Sequence, residues 1–132
     1  MNTKKVLVHG DLTEMIIRAA MRVHTALGPG LLESAYEACL VHELLKAGLS
    51  ARSQVELPVI YDGLTLDIGY RIDVLVENLV IIELKAVDTV LPIHKAQLIS
   101  YLKLSGNDVG LLINFNVLQL RDGIERFLRP RA

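Results

Sequence analysis

The sequence predicts an α/β or α+β fold, a β-sheet with flanking helices, built as a single domain over residues 1–132. Three observations carry that expectation. Apolar residues recur at helical spacing in two segments near the N-terminus, a long stretch rich in Val, Ile, Leu and Tyr follows, and a further helix leads into the unbroken apolar run VGLLINF. A length of 132 residues suits one hydrophobic core and is too short for a catalytic domain plus a separate recognition domain.

The first helix is expected from Leu12, with Ile16, Ile17, Ala20, Val23 and Leu27 on its apolar side and Asp11 or Thr13 as its cap. Gly28-Pro29-Gly30 ends it. A second helix should run from about Leu31 to Ala47, placing Leu32, Ala35, Tyr36, Cys39, Leu40 and Leu44 inward, with Gly48 as the stop. The following stretch, Ser50 to Ala86, reads as three or four strands with a hairpin turn at Asp62-Gly63. Leu91-Pro92 opens a third helix through about Leu104, because proline is tolerated in a first turn. VGLLINF then reads as a strand covered on both faces. A last strand or turn is expected around Val117 to Leu120, followed by the Arg-bearing tail RDGIERFLRPRA.

The charge balance, 14 Lys and Arg against 15 Asp and Glu, gives a formal net charge of -1. No global basic field draws in nucleic acid or anionic membrane, so a polyanionic partner must be held by a local patch. Cys39 is the single cysteine, which excludes an internal disulfide and a zinc finger; it reads as a small core residue. The short run Val6-Leu7-Val8 is too brief for a signal peptide or membrane span, so no membrane partner and a reducing cytoplasm are expected. His9 and His42 have no partner at ligand spacing and His24 lies on a largely apolar helix, so all three read as structural.

The stretch GYRIDVLVENLVIIELKAVD sets Asp73, Glu83 and Lys85 inside an apolar hairpin. Side chains alternate on a strand, so Ile72, Val74 and Val76 form one set, and Val80, Ile82 and Leu84 another. If both sets share one buried face, the connection must be an odd-length loop or carry a bulge; a regular two-residue turn at Glu77-Asn78 would put Asp73 and Glu83 on opposite faces. With a three-residue connection through Glu77, Asn78 and Leu79, Asp73 stands opposite Glu83. Their Cβ atoms would then lie roughly 4.5 to 5.5 Å apart, and facing carboxylates need solvent screening, a proton or a cation. A solvated mixed face and a hard-cation site both remain open on the hairpin alone.

Asp73 followed by Glu83-Leu84-Lys85 resembles the D…ExK signature of the PD-(D/E)xK nuclease superfamily. GLLESAY, Gly30 to Tyr36, is similar to the GxxExxY element of a family of small bacterial proteins in that superfamily, and HKAQLISYLKLSG with VGLLINF resembles that family's downstream region. The similarity extends over roughly Ile16 to Arg129. It implies a restriction-endonuclease-like core, a central mixed sheet flanked by helices, and metal-dependent hydrolysis of phosphodiesters, with DNA as the expected nucleic acid. By the same resemblance, Asp73, Glu83, the Leu84 carbonyl and Glu33 would hold Mg²⁺ or Mn²⁺. Lys85 would be the catalytic lysine, with Gln97 and Tyr101 in support. Ile72 stands where the superfamily's name has proline.

The chemistry is consistent with the residues themselves. Phosphodiester hydrolysis needs a cation to neutralise phosphate oxygens and acidify water, and two acids with a lysine on one face meet that need. Several of the supporting residues have ordinary explanations as well. Glu33 in a first helical turn is favoured by the helix dipole, with Glu37 at i+4 as plain helix surface, and Tyr36 reads as a packing residue with a bonded hydroxyl. His94, Gln97 and Tyr101 form a polar stripe that simple amphipathicity also produces. Lys95, Lys103, Arg121, Arg126, Arg129 and Arg131 would be a phosphate-contacting rim or merely solvated, and 2 Phe, 4 Tyr and no Trp supply a base-stacking platform poorly. The rival reading is a non-catalytic binding or assembly module keeping a relic site, and self-association into a homo-oligomer is compatible with either.

Overall fold

The computed structural model describes residues 7–131. Two helices come first, α1 (Gly10–Leu27) and α2 (Glu33–Lys46). Five strands follow, β1 (Ala51–Glu56), β2 (Val59–Tyr61), β3 (Leu64–Leu66), β4 (Arg71–Val76) and β5 (Val80–Lys85). The chain continues through α3 (Pro92–Ser105), β6 (Val109–Asn114), a 3-10 turn (Leu120–Gly123) and β7 (Ile124–Leu128). The main sheet has the order β1-β4-β5-β6-β7 and is antiparallel except for the β5–β6 pair, so it is mixed. That parallel pair is what the α3 crossover makes possible.

The sheet separates two cores. On one face Val74, Val76, Val80, Ile82, Leu84, Val109, Leu111 and Ile113 pack against α1 and α2. On the other, Leu75, Ile81 and Leu112 pack against Leu98, Tyr101 and Leu102 of α3. All of β6 is buried, as its continuous apolar run requires. Gly110 lets α3 come close, since a Cβ there would meet Leu98 Cδ1 at 2.8 Å.

Several expectations need correction. The stretch after α2 holds five strands, not three or four, because Leu57-Pro58 stops β1 and Asp62-Gly63, both at positive φ, fold β2 and β3 into a separate hairpin. Neither Asp11 nor Thr13 caps α1; its N-cap is His9, and Thr13 is buried with its hydroxyl on the Gly10 carbonyl at 3.1 Å. Helix α2 begins at Glu33, so Leu32 is its N-cap and 77% exposed instead of facing inward. The residues around Val117 form a bend, and the last strand lies in the tail: β7 pairs antiparallel with β6 and closes its open edge. Its mixed polarity, Ile124 and Phe127-Leu128 around Glu125-Arg126, hid it, because backbone pairing rather than apolar alternation holds an edge strand.

Candidate nuclease centre

Val76 pairs with Val80, so the β4–β5 loop is the three residues Glu77, Asn78 and Leu79, with Glu77 and Asn78 both in the left-handed region. Loop parity therefore follows the apolar pattern. The ladder runs through Val74↔Ile82 and then stops. One step further, where Asp73 would meet Glu83, side chains take over from the backbone. The Leu84 amide donates to Asp73 Oδ2 at 2.9 Å, and the Asp73 amide donates to Glu83 Oε1 at 3.3 Å. The strands part at this point and the two carboxylates fill the gap.

The other neighbour of β4 is interrupted at the same level. β1 pairs Ser53 with Val74 and Val55 with Ile72, but Gln54 between them is left-handed at φ 54° and drops out of the ladder. That irregularity turns the pleat over. Ile72 consequently joins the α3-side core with Leu75 and Ile81, not the α1/α2-side core with Val74 and Val76. The expected common face for all three residues fails at Ile72. Pairing is interrupted on both sides of β4 at Asp73, and its carboxylate reaches across the gap to the Leu84 amide on β5.

Glu83 is only 4% exposed. Burial, and then the adjacent Asp73 carboxylate, push its pKa up to about 9. Lys85, half-buried two residues on, pulls the other way. Glu33, at the first position of α2, has a carboxyl end that reaches this cluster although much of the residue is exposed. Its pKa is raised by burial, lowered in part by Lys85 and raised again by Asp73. Tyr101, on α3, is raised by burial and by the charge of Glu83, and its hydroxyl accepts from Gln97 Nε2 at 3.1 Å. The fold thus joins Asp73 and Glu83 through hydrogen bonds at the gap, with Lys85, Glu33 and Tyr101 within electrostatic range of the pair and Gln97 bonded to Tyr101.

The motif GLLESAY has a structural reason. The Tyr36 hydroxyl donates to the Gly28 carbonyl at 2.6 Å and accepts from the Leu31 amide at 3.1 Å, while its ring stacks on Phe115 at 4.5 Å. One tyrosine therefore ties the α1–α2 corner to the core and sets where α2 starts. Glu33 is carried to the site by that anchor.

Some participants were not singled out as site residues by sequence reasoning. Glu37, one turn after Glu33, accepts from Gln54 Nε2 at 2.9 Å; burial and then the Asp73 charge raise its pKa. The only sequence signal was its i+4 spacing from Glu33. Buried Asn114 donates to the Val87 carbonyl at 2.9 Å and accepts from the Val87 amide at 3.1 Å, clamping the segment just after Lys85. His24 is structural as expected, with Nε2 2.7 Å from the Val117 carbonyl oxygen. Of the basic rim, Lys95 pairs with Glu125 at 3.0 Å, Arg129 with Asp108 at 2.8 Å, and Arg126 bonds Thr13 and the Val8 carbonyl. Those three cations serve the fold.

The donor set suits a hard cation in kind. Leu84 turns its amide toward Asp73, and the N–H and C=O of one strand residue point to the same side, so its carbonyl faces the same gap. Two carboxylates and a carbonyl are an oxygen set of the sort Mg²⁺ accepts while keeping waters. No group of three or more His, Cys, Asp and Glu gathers at metal-binding spacing among the described residues. Glu33 stands at the margin of the pair.

No curated protein matches the chain. A solved structure described as "Crystal structure of SSO0001" is similar at 23% identity with a TM-score of 0.47, over 95% of this chain and 81% of that one. The family model described as "PD-(D/E)XK nuclease superfamily" matches residues 10–127, from the start of α1 to the penultimate residue of β7, and takes in all the acids and the lysine at the strand gap. The chain belongs to the PD-(D/E)XK nuclease superfamily.

Proposed function

We propose that this nuclease-like domain is an active, metal-dependent phosphodiesterase acting on nucleic acid, DNA foremost, and a member of the superfamily's GxxExxY group. The observation that carries the reading is the Asp73–Glu83 pair in the gap between β4 and β5, Glu83 buried and Asp73 half-buried, with Lys85 two residues after Glu83 on β5. A buried acid whose pKa is pushed up to about 9 stands ready to exchange its proton for a cation. Asp73, Glu83 and the Leu84 carbonyl would hold Mg²⁺ or Mn²⁺, with Glu33 adding a ligand from α2. When bound, such an ion neutralises phosphate oxygens and lowers the pKa of water.

The remaining work falls to side chains of this chain. Lys85 orients the attacking water and meets the developing negative charge, and an ammonium on a flexible stem can also pass a proton, which guanidinium cannot. No ion pair within 4 Å engages Lys85 among the described residues, so it is available to a phosphate. Gln97, held by the Tyr101 hydroxyl, positions a water or phosphate oxygen. Tyr36 sets Glu33 in place.

The test is metal-dependent cutting of single- and double-stranded DNA and RNA, with thermal unfolding measured alongside. Mn²⁺ at a hundredfold excess over Kd should stabilise the fold by about 2.7 kcal/mol. Asp73→Ala should lose both that shift and hydrolysis, whereas Lys85→Ala should lose hydrolysis and keep the shift. A wild-type protein that takes up Mn²⁺ but cuts none of these strands would instead favour the binding-module reading. The exposed apolar β2–β3 hairpin, with Ile60 62% and Tyr61 72% exposed, gives that reading its surface.

A further inference from the structure

Beside the acids lies a cavity of about 400 Å³ whose walls include Tyr70, Ile93, His94, Gln97 and Tyr101. We propose that it is a subsite for one unpaired nucleobase of the strand being cut, with Tyr70 as the stacking platform. The inference rests on the nuclease reading for the identity of the strand. Its own support is the composition and placement of the cavity.

The chain has 4 tyrosines, 2 phenylalanines and no tryptophan, yet two of the tyrosines converge here. Their ring centroids are 6.2 Å apart with planes tilted by 59°. Tyr101 is buried and stands within range of the Glu83 and Asp73 charges, so it joins the cavity to the catalytic point. Tyr70 is 44% exposed and offers its surface to solvent. Its backbone is held, because the Leu57 amide donates to the Tyr70 carbonyl at 2.9 Å just ahead of β4. Such a fixed, half-open aromatic suits stacking, and every base has a π-face to give it.

The remaining walls complete the fit. Ile93, 68% exposed, supplies an apolar side. Gln97 can present an amide to a base edge while keeping its bond to Tyr101, and His94 lies within electrostatic range of Glu33, on the catalytic side. A cavity of this size takes a single planar ring system and its sugar, at the lower end of small-ligand pockets. Paired bases keep their faces stacked on their neighbours, so the occupant is an unpaired or extruded nucleotide.

The test is fluorescence anisotropy of a short labelled single strand with the full chain carrying Lys85→Met, which keeps the strand uncut. DNA and RNA strands are run in parallel to tell which sugar is preferred. Tyr70→Ala should weaken binding about tenfold and Tyr70→Phe should leave it unchanged, with far-UV circular dichroism unaltered in both. An abasic site walked along the strand should cost the same factor at one position, and that penalty should vanish in Tyr70→Ala. Undiminished binding by Tyr70→Ala, an abasic penalty that persists in it, or no binding by either strand would each overturn the subsite. Hydrolysis separates the two readings. Metal-dependent cutting with kcat/KM unchanged in Tyr70→Ala keeps the nuclease and removes the subsite, whereas Tyr70-dependent binding without cutting does the reverse.

Discussion

Glu83 is the residue whose environment departs furthest from that of an ordinary side chain of its type. Folded, it keeps its proton up to about 9; unfolded, it releases it near 4.5. Between those values the unfolded chain binds fewer protons than the folded one, so stability falls as pH rises. In the presence of chelator, urea unfolding should therefore show wild type losing stability from about pH 5 to about pH 8, with Glu83→Gln giving a flatter profile. A wild-type profile as flat as the variant's would contradict the buried, protonated acid. The lysine makes a second residue-scale prediction. Lys85→Arg should remain at least about a hundredfold below wild type in kcat, since a guanidinium holds charge but cannot hand on a proton. Steady-state cleavage rates check it.

At the scale of elements, the corner between α1 and α2 is held by one hydroxyl. Tyr36→Phe keeps the stacking on Phe115 but leaves the Gly28 carbonyl and the Leu31 amide without their partner. Denaturant unfolding should show a loss of about 1 to 3 kcal/mol. Cleavage should fall in step with Glu33→Ala if the corner positions that acid. The α3 contact has its own control point at Gly110. Gly110→Ala forces Leu98 to move and should cost about 1 to 3 kcal/mol. Gly123→Ala should cost more, because its methyl would run into the Asn114 backbone carbonyl, which cannot swing away as a leucine side chain can. A thermal melt of the two variants ranks them directly.

For the molecule as a whole, β7 is what keeps β6 from being an edge. β6 is buried along its whole length and pairs with β7 from Val109↔Leu128 to Ile113↔Ile124. A chain ending after Gly123 should lose that cover and self-associate through the bared strand, whose unpaired amides and carbonyls invite another chain. Size-exclusion chromatography should show aggregates, and a monomeric, fully folded truncation would refute the role. Mixed polarity made this strand hard to see in the tail, whereas α3 and β6 were plain in their patterns. The same contrast runs through the site. Asp73, Glu83 and Lys85 stood out because charges in an apolar hairpin conflict with burial, but Glu37 looked like any helix surface.

The three helices and the odd β4–β5 loop were legible in the sequence itself, because apolar periodicity marks a helix and side-chain alternation in an extended backbone ties the shared apolar face to the loop length. The tertiary structure decided what local pattern does not encode. It put Gln54 in a left-handed conformation beside Asp73, turned Ile72 to the opposite core and sank Glu83 beneath α3. It also brought Tyr70, just ahead of β4, against Tyr101 of α3. These outcomes depend on which segments, distant in sequence, share a sheet gap or a helix contact, and burial and electrostatics act only after those segments have met.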